Sequence, residues 1–212
     1  DWSISWFDGY DLAADLSPGG IVASGERIIR LDHHRVKVIG ADAATTRGAF
    51  RFAVEGAYVR TEDSAGADPG IKNPFFYGVF GVERSFPDNL TAIVQIFGRE
   101  VRHYSNPEDI ADPTVRAVAI EQAIANNQLD RRQFGAAGRI AKKWFNETLE
   151  GELAGSMLFD RHGYSLRPRV TYIWSDRLKL LGGYEWYTGS DRTLLGRQAK
   201  NKTLFAEARY FF

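Results

Sequence analysis

Cysteine is missing from all 212 residues, which excludes a disulfide framework and any thiolate metal site. Its absence also suits a chain that must pass through an oxidising compartment without mispairing. The 27 basic and 27 acidic residues cancel, so no global field draws in nucleic acid, which is excluded as a partner. No apolar run approaches the ~18 residues of a membrane-spanning helix, and no basic segment followed by an apolar stretch marks a signal peptide. What the chain does have is aromatic residues, at 13%, and 21 glycines. Its length fits one domain over residues 1–212, with no compositional break inside it.

Alternation with period two recurs along nearly the whole sequence. Phe50, Phe52, Val54, Gly56 and Tyr58 alternate with Arg51, Ala53, Glu55 and Ala57. Leu90, Ala92, Val94, Ile96 and Gly98 alternate with Thr91, Ile93, Gln95, Phe97 and Arg99. The same pattern covers 2–10, 76–86, 134–144, 149–159, 164–174, 178–187 and 203–212, each near the ~10 residues that cross a bilayer at a tilt. A further strand over 35–45 is less clean. There Val36, Val38, Gly40 and Asp42 share one row, read as facing outward, so a bulge or a headgroup-level position is expected.

Connections alternate in length as regularly as strands do in polarity. Residues 45–48, 87–89, 145–148 and 175–177 read as tight turns. Residues 11–32, 61–73, 103–131 and 189–202 read as long links, with 160–163 a short exception. Short turns at one end and long loops at the other match an outer-membrane barrel, with short periplasmic turns and long extracellular loops. Within the longest link, PTVRAVAIEQAIANN opens on Pro113 and is Ala-rich, which predicts a short helix, either a plug in the mouth or a surface helix.

A water-soluble calyx and a membrane barrel both alternate, but with opposite sense. Aromatic placement separates them, because interfacial belts put Trp, Tyr and Phe at strand ends. Phe86, Trp144, Phe145, Trp174, Tyr210 and Phe212 fall at the short-turn end; Tyr10, Tyr58, Phe76, Phe159, Tyr164 and Trp186 fall at the other. The apolar rows are therefore expected in lipid and the charged rows in a lumen. The predicted fold is an all-β, transmembrane, antiparallel up-and-down barrel of about ten strands, with a closed ring satisfying every backbone group.

The last strand, TLFAEARYFF, carries an outward row of Leu204, Ala206, Ala208, Tyr210 and Phe212 that resembles the assembly signal of Gram-negative outer-membrane β-barrels. FNETLEGELAG and TLLGRQAKNKTLFAEARYFF are similar to closing strands of uncharacterised proteobacterial porin-like barrels. That resemblance implies a bacterial outer-membrane location, recognition by the barrel-assembly machinery and a channel or transporter, without identifying its cargo. Two features depart from the pattern. Pro168 sits inside a strand, where it removes a ladder donor. Asp1 opens almost directly in a strand, so the chain reads either as a whole barrel or as the carboxyl-terminal part of a larger one whose strands pair with another segment or chain.

The inward rows hold Arg51, Arg99, Arg139, Lys143, Arg167, Arg169, Lys179 and Arg209 facing Glu55, Glu83, Glu150, Glu152, Glu185 and Glu207. Such charges either pair and fill the interior or line a water-filled path that selects small polar or charged solutes. Arg167 and Arg169 lack an acid in their own strand and are the candidate anion-attracting rung. A hydrolase reading rests on Asp32, His33, His34, His103, Asp160 and His162 near the rim. It lacks a nucleophile elbow and a metal-spaced motif, and His33 and His34 point to opposite faces. A third reading is a filled barrel whose loops, including SGERIIRLDHHR, bind a partner. The expectation is a non-enzymatic outer-membrane channel with no cofactor and no metal, the loop at 103–131 restricting its entrance.

Overall fold

The computed structural model of the chain describes residues 1–21 and 27–212. Strands β1 (Trp2–Tyr10) and β4 (Arg35–Arg47) flank an excursion that carries a separate hairpin, β2 (Asp15–Ile21) and β3 (Arg27–Asp32). After them come β5 (Phe50–Thr61), β6 (Phe75–Phe86), β7 (Leu90–Val101), helix α1 (Pro113–Ala125), β8 (Arg132–Trp144), β9 (Leu149–Leu158), β10 (Gly163–Ser175), β11 (Leu178–Thr188), the short helix α2 (Leu194–Arg197) and β12 (Thr203–Tyr210). Apart from β2 and β3, the strands form one ten-stranded antiparallel meander in chain order, from β1 to β12. The β2–β3 hairpin was not anticipated; residues 24–26 of the SGERIIRLDHHR stretch lie outside the described residues.

Tight turns hold the register at one end. Asp88 and Asn89 both take left-handed φ (61° and 55°) between β6 and β7, and Gly48 does so between β4 and β5 (61°). These are the conformations that hairpin turns require, and Asn, Asp and Gly reach them at least cost. Directly opposed residues of an antiparallel pair share a face. The register therefore carries each row across the sheet, for example Asp42↔Glu55↔Val79↔Phe97↔Gly135. All fourteen lumen candidates fall on this one face of the sheet.

The same register corrects the reading of β4. Val36, Val38, Gly40 and Asp42 lie on the charged face, opposite Thr61, Val59, Ala57 and Glu55, and the ladder runs without a bulge. Val36 is buried although it points to the charged side. Pro168 is accommodated locally. It pairs with Leu153 on β9, whereas the partners on β11 skip from Leu166↔Trp186 to Arg169↔Gly183. The missing donor falls where that ladder is already interrupted.

The closed ring expected from sequence is not present: β1 pairs only with β4, β12 only with β11, and the sheet stays open. Alternation is local to each strand, and each hairpin partner is supplied by the adjoining turn. Closure instead pairs the two strands farthest apart in sequence, for which no turn sets a register. The directions are nevertheless compatible, since β1 ascends from the short-turn end and β12 descends to it.

Few apolar residues are buried. Among the described residues, Val36, Val101, Val118, Ala119, Ile124, Leu129 and Ala141 make up the buried hydrophobic set, against thirty-three large apolar residues left exposed. Most of that small core lies where α1 meets the loop end of the charged face.

Candidate functional site

Two surfaces deserve a functional reading: the charged face and the loop layer that covers one end of it. On the charged face, acids and bases pair across strands. Glu152, whose side chain is 8% exposed, accepts from Arg139 Nε at 2.6 Å and from Arg169 Nη2 at 2.9 Å. Glu150 lies 3.5 Å from Arg139, so two carboxylates and two guanidiniums form one network over β8, β9 and β10. Arg167 pairs with Glu185 at 3.2 Å, Arg51 with Glu83 at 3.7 Å and Arg209 with Glu207 at 2.5 Å. Lys143 reaches the turn residue Glu147 at 2.7 Å. Arg167 and Arg169 are therefore neutralised by acids on neighbouring strands and do not form a free anion-attracting rung. Register, invisible to a single-strand reading, supplies those partners.

Lys179 remains beside Arg169, Arg209, Glu150, Glu207 and Thr171, around a hollow of about 180 Å³ near the short-turn end. Glu55 sits across the sheet on β5. Mixed charge on a half-exposed face attracts water and small polar solutes, while each paired group keeps its desolvation cost low.

Arg99 behaves differently from the other lumen candidates. It is stacked over Phe75 (4.2 Å) and hydrogen-bonds the carbonyls of Asn126 and Asn127, the latter at 3.2 Å. Those carbonyls end helix α1, so a cation from the sheet meets the negative end of the helix dipole. The helix itself is well specified: Asp112 caps it by accepting from Thr114 N (2.7 Å) and Val115 N (2.9 Å), Pro113 follows, and Asn127 leaves it with a left-handed φ of 52°. Val118, Ala119, Gln122 and Ile124 are buried. The helix buries one face, packs against the β2 segment and is tied to the sheet through Arg99.

The loops converge on α1 through a buried polar network that the sequence analysis missed. Asp15 is fully buried. It accepts from Gln122 Nε2 at 2.6 Å and Asn126 Nδ2 at 3.3 Å, and lies 3.4 Å from Lys72 Nζ and 2.9 Å from His34 Nδ1. Leu16 N donates back to Gln122 Oε1 at 2.5 Å, and Lys72 also reaches Asp11 at 2.9 Å. Gln128 exchanges two 2.8 Å hydrogen bonds with the backbone of Asn73. From the remaining loops, Arg161 holds Asp130, Arg192 holds Glu108, and Arg197 holds Glu121, Nη2 to Oε1 at 2.9 Å. No sequence signal marks these residues, because the partners of Asp15 lie 19 to 111 positions away.

This network spans the sheet. Glu121 and Gln122 are adjacent on α1, yet one contacts the β11–β12 loop and the other the β1–β4 excursion. Laid flat, ten strands would separate those loops by ~40 Å. Loops from both ends of the sheet therefore meet on one helix ~20 Å long.

Two carboxyls in the cap respond to acid. Burial pushes the Asp11 carboxyl up, but hydrogen bonds from Lys72 and the Ala13 amide, with the Lys72 charge, bring it below its ordinary value. Hydrogen bonding and charge from Arg197 hold Glu121 low against partial burial. A lowered folded-state value stabilises above the ordinary carboxylate pKa near ~4 and is lost as pH falls through the lowered one. The cap is thus expected to be firm at neutral pH and to loosen only below about pH 4, read as faster amide exchange in residues 113–125.

The hydrolase candidates do not assemble. His33 Nδ1 contacts Asp11 O at 2.7 Å, His34 serves the Asp15 network, and His103 and His162 occupy turns with left-handed φ. Asp160 accepts from Phe134 N. Among the described residues no group of three or more His, Cys, Asp or Glu side chains converges to hold a metal. Among the described residues no helix is long and apolar enough to cross a membrane, which does not bear on strands. Compared with known proteins, the chain matches no family model, no curated protein and no solved structure.

Proposed function

We propose that the chain forms the wall of an outer-membrane β-barrel that passes small polar or charged solutes along its charged face, with α1 restricting the entrance. One observation carries this reading: the exposed apolar side chains of the ten-stranded sheet fall on one face, with Phe7 and Ile173 the exceptions. Trp2, Ile4, Trp6, Ile39, Val54, Phe80, Val94, Ile96, Ile140, Leu153, Val170 and Leu204 are all between 43% and 83% exposed, and all lie opposite the charged rows. A sheet that hid its arginines and bared its tryptophans in water would aggregate.

The dimensions support the same reading. On that face charge is confined to the strand ends: uncharged stretches run over 39–45, 50–58, 90–98 and 134–140. Nine residues span ~30 Å along a strand, or ~23 Å of height at a 40° tilt, against an apolar band of ~25 Å. At the short-turn border Arg84 lies between Phe50 (4.7 Å) and Phe86 (4.5 Å), and Lys142 lies over Trp144; at the loop border Arg35 lies over Tyr10 and Lys202 over Trp186. Aromatic rings beside cations at both borders suit a headgroup interface.

In hydrocarbon the free edges of β1 and β12 would leave backbone groups unpaired, so the reading requires them to be paired, with each other or with further strands. Before that pairing, the row Leu204, Ala206, Ala208, Tyr210 and Phe212 lies on an edge strand, accessible to an assembly factor. A second reading, a filled barrel whose loops bind a partner, is favoured by the ion-paired interior and the buried cap. Planar-bilayer recording distinguishes them. The channel reading expects salt-dependent current steps, and Glu152→Gln, which leaves Arg139 and Arg169 without their shared carboxylate, is expected to raise anion over cation permeability about threefold. Silent bilayers with inserted protein would favour the filled barrel.

A further inference from the structure

The apolar face is not uniform. Gly56, Gly78 and Gly98 are direct register partners on β5, β6 and β7, and floor a trough across three strands. Val54, Phe80 and Ile96, on the neighbouring rung, wall it on one side; Tyr58 and Phe76, with ring centroids 4.6 Å apart, wall it on the other. The Phe134 ring closes its end, so near that a Cβ on Gly98 would sit 2.9 Å from Phe134 Cδ1. Its β6–β8 part is a hollow of about 590 Å³, lined almost wholly by apolar atoms and running from Val54 and Gly78 past Gly98 to Phe134 and Phe159.

Packing within the protein does not require glycine at the trough's centre. A Cβ at Gly56 or Gly78 would meet nothing closer than 3.7 Å, and neither residue has a left-handed φ. What the two glycines provide is space, and in an apolar wall that space must be filled from outside.

Guanidinium groups gather at the loop side of the same strands. Arg102 lies over the Phe76 ring at 5.9 Å, Arg131 and Arg132 flank Glu100 at 3.7 and 3.5 Å, and Arg60 lies one row beyond Tyr58 on β5. Arg131 and Arg132 thus share the single carboxylate of Glu100. Arg102 and Arg131, with His103 and Tyr104, border a second hollow of about 240 Å³.

We infer that the trough and the arginine cluster form one binding site for a membrane lipid with a phosphorylated headgroup, its acyl chain across Gly56, Gly78 and Gly98 and its phosphate on Arg102 and Arg131. The inference rests on the membrane reading above and adds a lipid preference to it. Arginine suits phosphate because its planar fork donates two hydrogen bonds at once. A zwitterionic headgroup brings its own cation to the cluster and is disfavoured there.

The test inserts the full chain into vesicles of phosphatidylcholine mixed with phosphatidylglycerol, and measures by mass spectrometry the lipid retained after extraction into mild detergent. Wild-type protein is expected to retain phosphatidylglycerol preferentially, with the preference falling about fivefold for each of Arg102→Ala and Arg131→Ala. Gly78→Leu, which fills the trough, is expected to abolish retention, and soluble glycerol phosphate is expected not to compete. Equal retention of both lipids by inserted wild type, or a preference unchanged in both arginine variants, overturns the site. Failure of wild-type protein to insert in either lipid overturns the membrane reading itself, a separate outcome. Because both arginine variants lie on the exposed rim, the test survives if Gly78→Leu misfolds.

Discussion

Asp15→Ala is expected to release the loop cap while leaving the ten-stranded sheet intact. The carboxylate is the point at which three loops meet: it binds Gln122 of α1 and Asn126 just after it, faces Lys72 from the β5–β6 loop, and is itself carried by β2. Without it the Lys72 ammonium, whose side chain is only 3% exposed, keeps Asp11 and the Ala13 carbonyl but loses a buried counter-charge. Breaking a buried pair by removing one partner costs about 3–5 kcal/mol, because the remaining charge stays desolvated. Asp11 offsets part of that here, so the lower end of the range applies, equivalent to about a hundredfold rise in the population of open cap. Amide exchange in 113–125 should accelerate by that factor, with exchange in β5 to β8 unchanged. Protection of α1 that survived the substitution would mean that Arg99 and Arg197 hold the helix without Asp15.

Val94→Arg and Gln95→Arg should differ sharply although the two positions are adjacent. Val94 is 58% exposed near the middle of the uncharged row of β7, and Gln95 lies on the charged face opposite Gly81 and Ala137. An arginine at the bilayer midplane of a barrel's lipid face costs about 2–4 kcal/mol, and one facing a polar interior costs little. Val94→Arg is therefore expected to lower the stability of the inserted protein by that amount, measured by reversible denaturant unfolding from vesicles, and Gln95→Arg to leave it nearly unchanged. Equal effects at the two positions would contradict the assignment of faces.

The strands were largely legible in sequence because each one states its own polarity by alternation and each tight turn states its own conformation. Phe50 to Tyr58 and Leu90 to Arg99 needed no information beyond themselves, and the fourteen charged positions assigned to one face do share it. Helix α1 was legible from Pro113 and its Ala-rich body. Its docking was not, because it depends on Asp15, Lys72 and Arg197, none of which lies nearby in sequence. The row of Val36 to Asp42 lies on the charged side because of its pairing with β5, which a single strand does not state. Cross-strand acids likewise undid the proposed rung at Arg167 and Arg169. Closure failed as an expectation because β1 and β12 have no turn between them to fix a register.

The central claim is that the uncharged face meets hydrocarbon, and the lack of native cysteine makes it directly measurable. Single cysteines placed in turn from 90 to 99 along β7 would be spin-labelled in phosphatidylcholine vesicles, and their collisions with oxygen and with a water-soluble nickel complex compared. The account predicts strict alternation, with 92, 94 and 96 open to oxygen and shielded from nickel, and 93, 95 and 97 the reverse. Uniform access to nickel at both sets, or oxygen preference at the odd positions, would contradict it.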